Sequence, residues 1–356
     1  MPQPPKTLLQ KLIAAHTVGG ALKVPVTLKV AGRKPAGFED GYALVGTVVK
    51  VPKELPLTQG AFGTLAFRSG VDAATTPAAR ITFNGVRPKG VGLTDLTLHA
   101  ASLLPPSPEN SHGWGVELQG SVIQKLRLEE RMRLCALLSQ APNVAFVLMP
   151  VDEVVLQAIG TPEKQRLIYR HLKTDDDAPL TADFAVDTST LAPHATWTTE
   201  LTNGASILSD LDDITAAHEK AHLPKAGNAM KNIPIDYVYI GPFTLLEADA
   251  LEAAVSVLKG RKVASGVKCF ICPENDALKA LAEQKGWDKT FIHSGCIWNP
   301  TPAERTLHAG KDHKRTAQTL ALVNTKPHSH RTHFMSAQMA ATAAICGRIA
   351  DVRDFI

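Results

Sequence analysis

The chain has no uninterrupted run of about 18 or more apolar residues, so nothing in it spells a membrane-spanning helix. Its opening stretch, MPQPPKTLLQKLIAAH, has neither the apolar centre nor the cleavage site of a secretory leader, and a soluble, cytoplasmic protein is expected. Cysteine is scarce. Five residues, at 135, 269, 272, 296 and 346, are too few for a disulfide framework in 356 residues, so reduced thiols are expected. Charge of one sign is lacking too: 38 Lys plus Arg against 34 Asp plus Glu leaves +4, which offers no basic groove to a nucleic acid. What is there is ordinary globular material, 44% hydrophobic and 20% charged. At roughly 100–200 residues per domain, the length suggests two or three domains.

Apolar spacing predicts a helix over 6–16, with Leu8, Leu9, Leu12 and Ile13 on one face. Short β-branched runs between 21 and 51 read as strands, 57–70 as a glycine-bearing turn entering a helix, and 79–86 as a strand. A helix over 92–103, a proline-rich loop over 103–112 and a strand over 114–120 follow. One long helix is then expected over 121–140, and a buried strand over 143–150. Residues 171–232 are polar and carry the acidic run Asp175, Asp176, Asp177, the composition of a connector. Beyond Pro234 strands and helices alternate: strands at 237–241, 267–273 and 289–294, helices at 246–259, 276–285 and 335–350. That alternation argues for a parallel sheet. The division is therefore an N-terminal α/β lobe (1–170), a polar connector (171–232) and a C-terminal α/β lobe (233–356).

Six stretches, in order, carry a resemblance: KTLLQKLIAAHTV near the start, TQGAFGTLAF at 58–67, VELQGSVIQKLRLEERMRLC at 116–135, VYIGPFTLLEADALEAAVSVLKGRKVASGV at 238–267, FIHSGCIWNP at 291–300 and RTHFMSAQMAATAAICGRIADVR at 331–353. Together they resemble the large subunit of 3-isopropylmalate dehydratase in the aconitase superfamily. The resemblance implies a reduced α/β/α large-subunit architecture, mostly parallel sheets in two lobes around a cleft. It also implies a chemistry of removing and re-adding water on a hydroxy-polycarboxylate at a [4Fe–4S] cluster held by three cysteines. Matched position by position, the cluster thiolates fall on Phe243, Ala303 and Thr306, and the Gly-Asp-Ser-His turn becomes Pro52, Lys53, Glu54 and Leu55. The next family His is Gln59, and the Asn and Glu after the long helix are Ala136 and Gln140. Apolar groups have replaced polar ones, and a tricarboxylate buried there without paired arginines would cost several kcal/mol per charge.

The expected enzyme is thus a cofactor-free lyase, isomerase or cyclase that reuses the cleft for a more apolar small molecule in a specialised biosynthetic pathway. The competing expectation is a non-catalytic scaffold that binds a partner, for instance a small swivelling-domain subunit or a second copy. Nucleic acid and membrane are not expected as partners. Lys53, Glu54, His112 and His293 are the candidate catalytic groups, since each can move a proton near neutral pH once burial shifts it. Gln59, Trp114, Gln140, Phe243, Glu247, Trp298 and Arg331 are the candidate substrate contacts, with Glu117 among the polar groups expected near the cleft. The mouth of that cleft is placed at the 52–60 turn, the 112–117 strand start and the 291–298 strand end. Cys269 and Cys272 form a C-x-x-C within a strand, where residues three apart face opposite ways, so buried structural thiols are expected. His308, His313, His328, His330 and His333 have metal-like spacing, but His333 belongs to the family-like RTH stretch and the others stand among Lys311, Lys314, Arg315 and Lys326, so an exposed basic loop is the expectation for them.

Overall fold

The computed structural model describes residues 5–8, 10–11, 66–67, 76–106, 113–158, 172–196, 230–243, 247–301, 314–319 and 332–356. The chain divides into two units: Met1–Arg87 with Leu103–Thr190, and Pro88–Ser102 with Leu191–Ile356.

The first unit is built on a five-stranded sheet of β1 (Ala66–Phe67), β2 (Ala78–Asn84), β3 (Trp114–Gln119), β4 (Val144–Leu148) and β5 (Ala182–Asp187), in the order β1-β4-β3-β2-β5. All neighbours are parallel except β1 and β4. Alternation along β2 sends Ala79, Ile81 and Phe83 into the core, joined by Val116 and Leu118 of β3. Residues 66–67, expected in a helix, are strand, because they pair with Val147 and Phe146 at the sheet edge. The polar segment from 171 is also more than a link, since it supplies β5, which pairs with β2 from Ala79 to Asn84.

The helix expected over 121–140 is two helices, α2 (Ser121–Gln124) and α3 (Leu128–Leu138). Arg131 explains the break. Buried in the turn, its guanidinium donates to the carbonyls of Gln124 (3.0 Å) and Leu126 (3.1 Å) and to Asp152 (2.8 and 2.6 Å), so those carbonyls serve the arginine instead of a continuing helix. Arg127 is extended there, and Glu130 accepts its amide at 2.9 Å to start α3 afresh. β4 is followed by α4 (Glu153–Ala158).

The second unit holds α1 (Leu93–Leu103), through Ser102, and a second five-stranded sheet. Its strands are β6 (Tyr237–Phe243), β7 (Lys268–Pro273), β8 (Ile297–Trp298), β9 (Thr316–Thr319) and β10 (Thr332–Met335), all parallel, in the order β10-β9-β6-β7-β8. The helices α5 (Ala248–Leu258), α6 (Asp276–Gln284), α7 (Trp287–Ser294) and α8 (Ala337–Cys346) bury a shared core. Val238, Ile240, Cys269, Ile271, Ala317 and Met335 point into that core. Tyr237, Tyr239, Phe270 and Cys272 cluster on the other face, with Tyr239 stacked on Phe270 at 4.8 Å.

One expectation fails here. Residues 289–294 are helix, not strand: Trp287, Phe291 and Ser294 are the buried positions, spaced by four and three, which is helical and not alternating. Gly286 and Gly295, both left-handed, bracket those eight residues. No helix among the described residues is long and apolar enough to cross a membrane.

Candidate functional site

Mid-strand positions of a parallel sheet are normally apolar. In the first unit one register row is not: Glu117 of β3 lies opposite Arg80 of β2, which lies opposite Asp183 of β5. Arg80 grips Asp183 through Nε (3.1 Å) and Nη2 (2.5 Å), a bidentate pair that holds the guanidinium's pKa above its ordinary value. Glu117 is only 4% exposed, and burial pushes its carboxyl above the usual range, against the opposing pull of Thr174 and Arg80. Its Oε2 accepts the Thr174 hydroxyl, while Oε1 has no hydrogen-bond partner among the described residues. Burial thus favours the protonated form of this carboxyl more than it would that of an exposed one.

The chain's own start closes this face. Thr7 and Gln10 cap a helical turn reciprocally: Thr7 Oγ1 accepts the Gln10 amide at 3.2 Å, and Gln10 Oε1 accepts the Thr7 amide at 2.9 Å. Leu8 donates its amide to Thr174 Oγ1 (2.8 Å), and Lys11 reaches the Lys173 carbonyl (2.7 Å) and Asp175 (2.5 Å). Thr174 therefore bridges the N-terminal segment and Glu117. Sequence reasoning missed Arg80 and Thr174, although a charge inside each of ARITF, VELQ and ADFAV was the available signal.

In the second unit, α1 brings Asp95 and His99 onto one helix face, four residues apart. Asp95 Oδ1 accepts the His194 amide (2.8 Å) and its Oδ2 the Gly92 amide (2.7 Å). His99 Nδ1 and His194 Nε2 are 3.2 Å apart, with ring centroids 5.4 Å apart, so the two nitrogens face each other across a hydrogen bond that one must donate. Burial, with His194 as a lesser cause, lowers the His99 pKa to about 4, and burial lowers that of His194. Nothing local in the sequence announces this pair.

At the carboxyl end of the central strand β6, where open α/β sheets bind their ligands, Gly241 has φ +105° and donates its amide to Thr319 Oγ1 at 2.8 Å. Phe243 beside it is buried in the core. Trp298 packs on the same core and stacks on Phe291 with centroids 5.9 Å apart, so Phe243 and Trp298 are brought into one cluster. Glu247 is fully buried just before α5. His293 sits exposed in the last turn of α7, its carbonyl taken by Lys262, so the expected 291–298 strand end begins as a helix end. In the first unit, Trp114 opens β3 with its indole N–H on the Pro105 carbonyl (2.9 Å), and Gln140 lies in the turn after α3. Lys53, Glu54, Gln59, His112 and Arg331 lie outside the described residues, as do Ala303, Thr306, His308, His313, His328 and His330.

All five cysteines are free thiols. Cys269 and Cys296 belong to the helix-covered core, whereas Cys272 faces the other side of the sheet, as the C-x-x-C spacing in a strand requires. His333 is buried in β10, its Nδ1 2.9 Å from the Thr196 carbonyl and its Nε2 3.5 Å from the Arg315 guanidinium. Among the described residues no group of three or more His, Cys, Asp or Glu side chains could hold a metal ion.

A sequence profile described as "Aconitase family (aconitate hydratase)" matches residues 60–347. Among solved structures, the crystal structure of Thermococcus kodakaraensis aconitase X in its holo-form is similar at 15% identity and a TM-score of 0.36, covering 79% of this chain and 54% of that one. This chain thus spans about half the length of that relative.

Proposed function

This chain belongs to the aconitase family, and on that premise we propose a lyase, isomerase or cyclase that works without an iron–sulfur cluster on a more apolar substrate than the family's polycarboxylates. The observation that carries the reading is Phe243. It stands at the end of the central strand, at the position matched to the first cluster thiolate, and its ring is packed into the core. The four cysteines of the second unit make a poor ligand set for a cluster, because Cys269 and Cys296 lie on one face of the sheet, Cys272 on the other and Cys346 at the end of α8. Ala303 and Thr306, matched to the remaining ligands, have no thiol to offer.

Lys53, Glu54, His112 and His293 are the proton-moving groups of this proposal, and Gln59, Trp114, Gln140, Phe243, Glu247, Trp298 and Arg331 its substrate contacts. One group takes a proton from substrate carbon while another delivers one to the departing group, in an elimination, or to a second carbon, in an isomerisation, so no net proton is gained. Purification without oxygen, followed by iron and sulfide determination, tests it. Less than a tenth of an equivalent of either is expected, with no turnover of isopropylmalate, citrate or cis-aconitate. Stoichiometric cluster, lost in Cys296→Ala, would overturn the alignment. A cluster-free protein that keeps full activity on its true substrate after each of the four candidates is replaced would place the chemistry elsewhere.

A further inference from the structure

β7 and β8 pair Phe270 with Ile297, and one step earlier stand Cys269, in β7, and Cys296, the residue that leads into β8. Neighbouring strands are about 4.8 Å apart, inside the roughly 4.4–6.8 Å between Cα atoms that a disulfide needs. Both side chains belong to the same buried cluster, and the neighbouring Cys296 thiol, together with burial, holds the Cys269 pKa above that of an ordinary thiol while the pair is closed in. Cys272 lies on the opposite side of the sheet and cannot compete.

Burial by itself would make such a pair inert. β8 is two residues long and forms the edge of its sheet. It follows Gly295, which is exposed and left-handed, and carries Ile297, which is itself 38% exposed. A short edge strand entered through a glycine opens at little cost compared with the central strands, and its opening uncovers Cys296 before Cys269.

We propose that Cys269 and Cys296 are a reversible oxidation site, closed to a disulfide by a hydroperoxide and reopened by a dithiol. The Cys296 thiolate attacks one peroxide oxygen; the S–O bond forms, the O–O bond breaks, and the other oxygen leaves as water or an alcohol with the thiol's proton. The Cys269 thiolate then attacks the sulfenic sulfur, the S–S bond forms, the S–O bond breaks, and the hydroxide takes the Cys269 proton and leaves as water. Two sulfurs are each oxidised by one electron and two peroxide oxygens are each reduced by one. The bond closes a loop holding α6 and α7 and fastens the sheet edge to β7.

The full chain is treated with hydrogen peroxide, its remaining thiols are blocked in denaturant, and its peptides are mapped by mass spectrometry. A crosslink between the peptides of Cys269 and Cys296 is expected, reversed by dithiothreitol, kept in Cys272→Ser and in Cys346→Ser, and accompanied by a melting temperature several degrees higher than that of the reduced protein. A Cys269–Cys272 crosslink would overturn the proposal. So would oxidation confined to Cys346, or a 269–296 crosslink that forms only after the chain has been unfolded. Because the crosslink is read on the wild-type chain, the result does not depend on whether Cys296→Ser folds.

Discussion

Glu117 and His99 are buried acid and base with opposite consequences for pH. The folded pKa of Glu117 is raised, chiefly by burial, so its contribution is greatest in acid and is lost as pH rises from the ordinary value of 4.5 toward the raised one. Glu117→Gln keeps the partner for the Thr174 hydroxyl and removes the titration; the wild type is expected to lose stability relative to this variant as pH rises above the ordinary value of 4.5, as read from thermal melts. Parallel curves would contradict it. His99 runs the other way. Its pKa falls from 6.5 to about 4, so its stabilisation is present above pH 6.5 and is lost as pH drops toward 4, on the order of 3 kcal/mol in all. His99→Gln should therefore flatten the acid limb of the melting curve, and an unchanged acid limb would exclude His99 as its source. At this scale the sequence was only partly legible. Glu117 stands out because a carboxylate interrupts VELQ, but the partner that matters to it, Thr174, is 57 positions away, and such distance leaves no periodic trace.

Among the elements, the strands were the easiest to read wherever alternation was strong: the strands carrying ARITF and VYI start within one residue and end within two of their expected bounds. α7 was misread because its burial period needs Trp287, which lies outside the KTFIHS window. The 121–140 helix was overextended because the break is caused by Arg131, a long-range hydrogen-bonding choice and not a breaker residue. Glycines separate elements that only need a turn from elements jammed together. A Cβ on Gly241 would sit 2.2 Å from the Cys272 carbonyl oxygen at φ +105°, while one on Gly286, φ +69°, would meet nothing within 4 Å. Gly241→Ala should cost roughly 3 kcal/mol or more, and Gly286→Ala about 1 kcal/mol. Chemical denaturation of both variants compares them, and equal losses would refute the close-approach argument. At the start of α6, Asn275 Oδ1 accepts the Leu278 amide at 2.8 Å, and Asn275→Ala should cost about 1 kcal/mol in the same measurement.

Over the whole molecule, the parallel sheet beyond Pro234 followed from the alternation of strands and helices, and two mostly parallel lobes from the family resemblance. The second unit takes Pro88–Ser102 from the middle of the first. A fragment spanning 191–356 would lack α1 and leave His194 without Asp95 and His99. It should show a broad, weakly cooperative melt by circular dichroism, sharpened by a synthetic peptide of residues 88–102; a fragment that melts as sharply alone would mean that α1 is dispensable. The borrowed helix also sets a schedule for synthesis. α1 leaves the ribosome long before its acceptor, since His99 and His194 are 95 positions apart. At about 5–20 residues per second, its buried leucines wait some seconds in water for the segment that receives them. During that interval α1 is a target for chaperones and for other nascent chains, and a slower passage through codons 103–194 would lengthen the exposure without altering the finished protein.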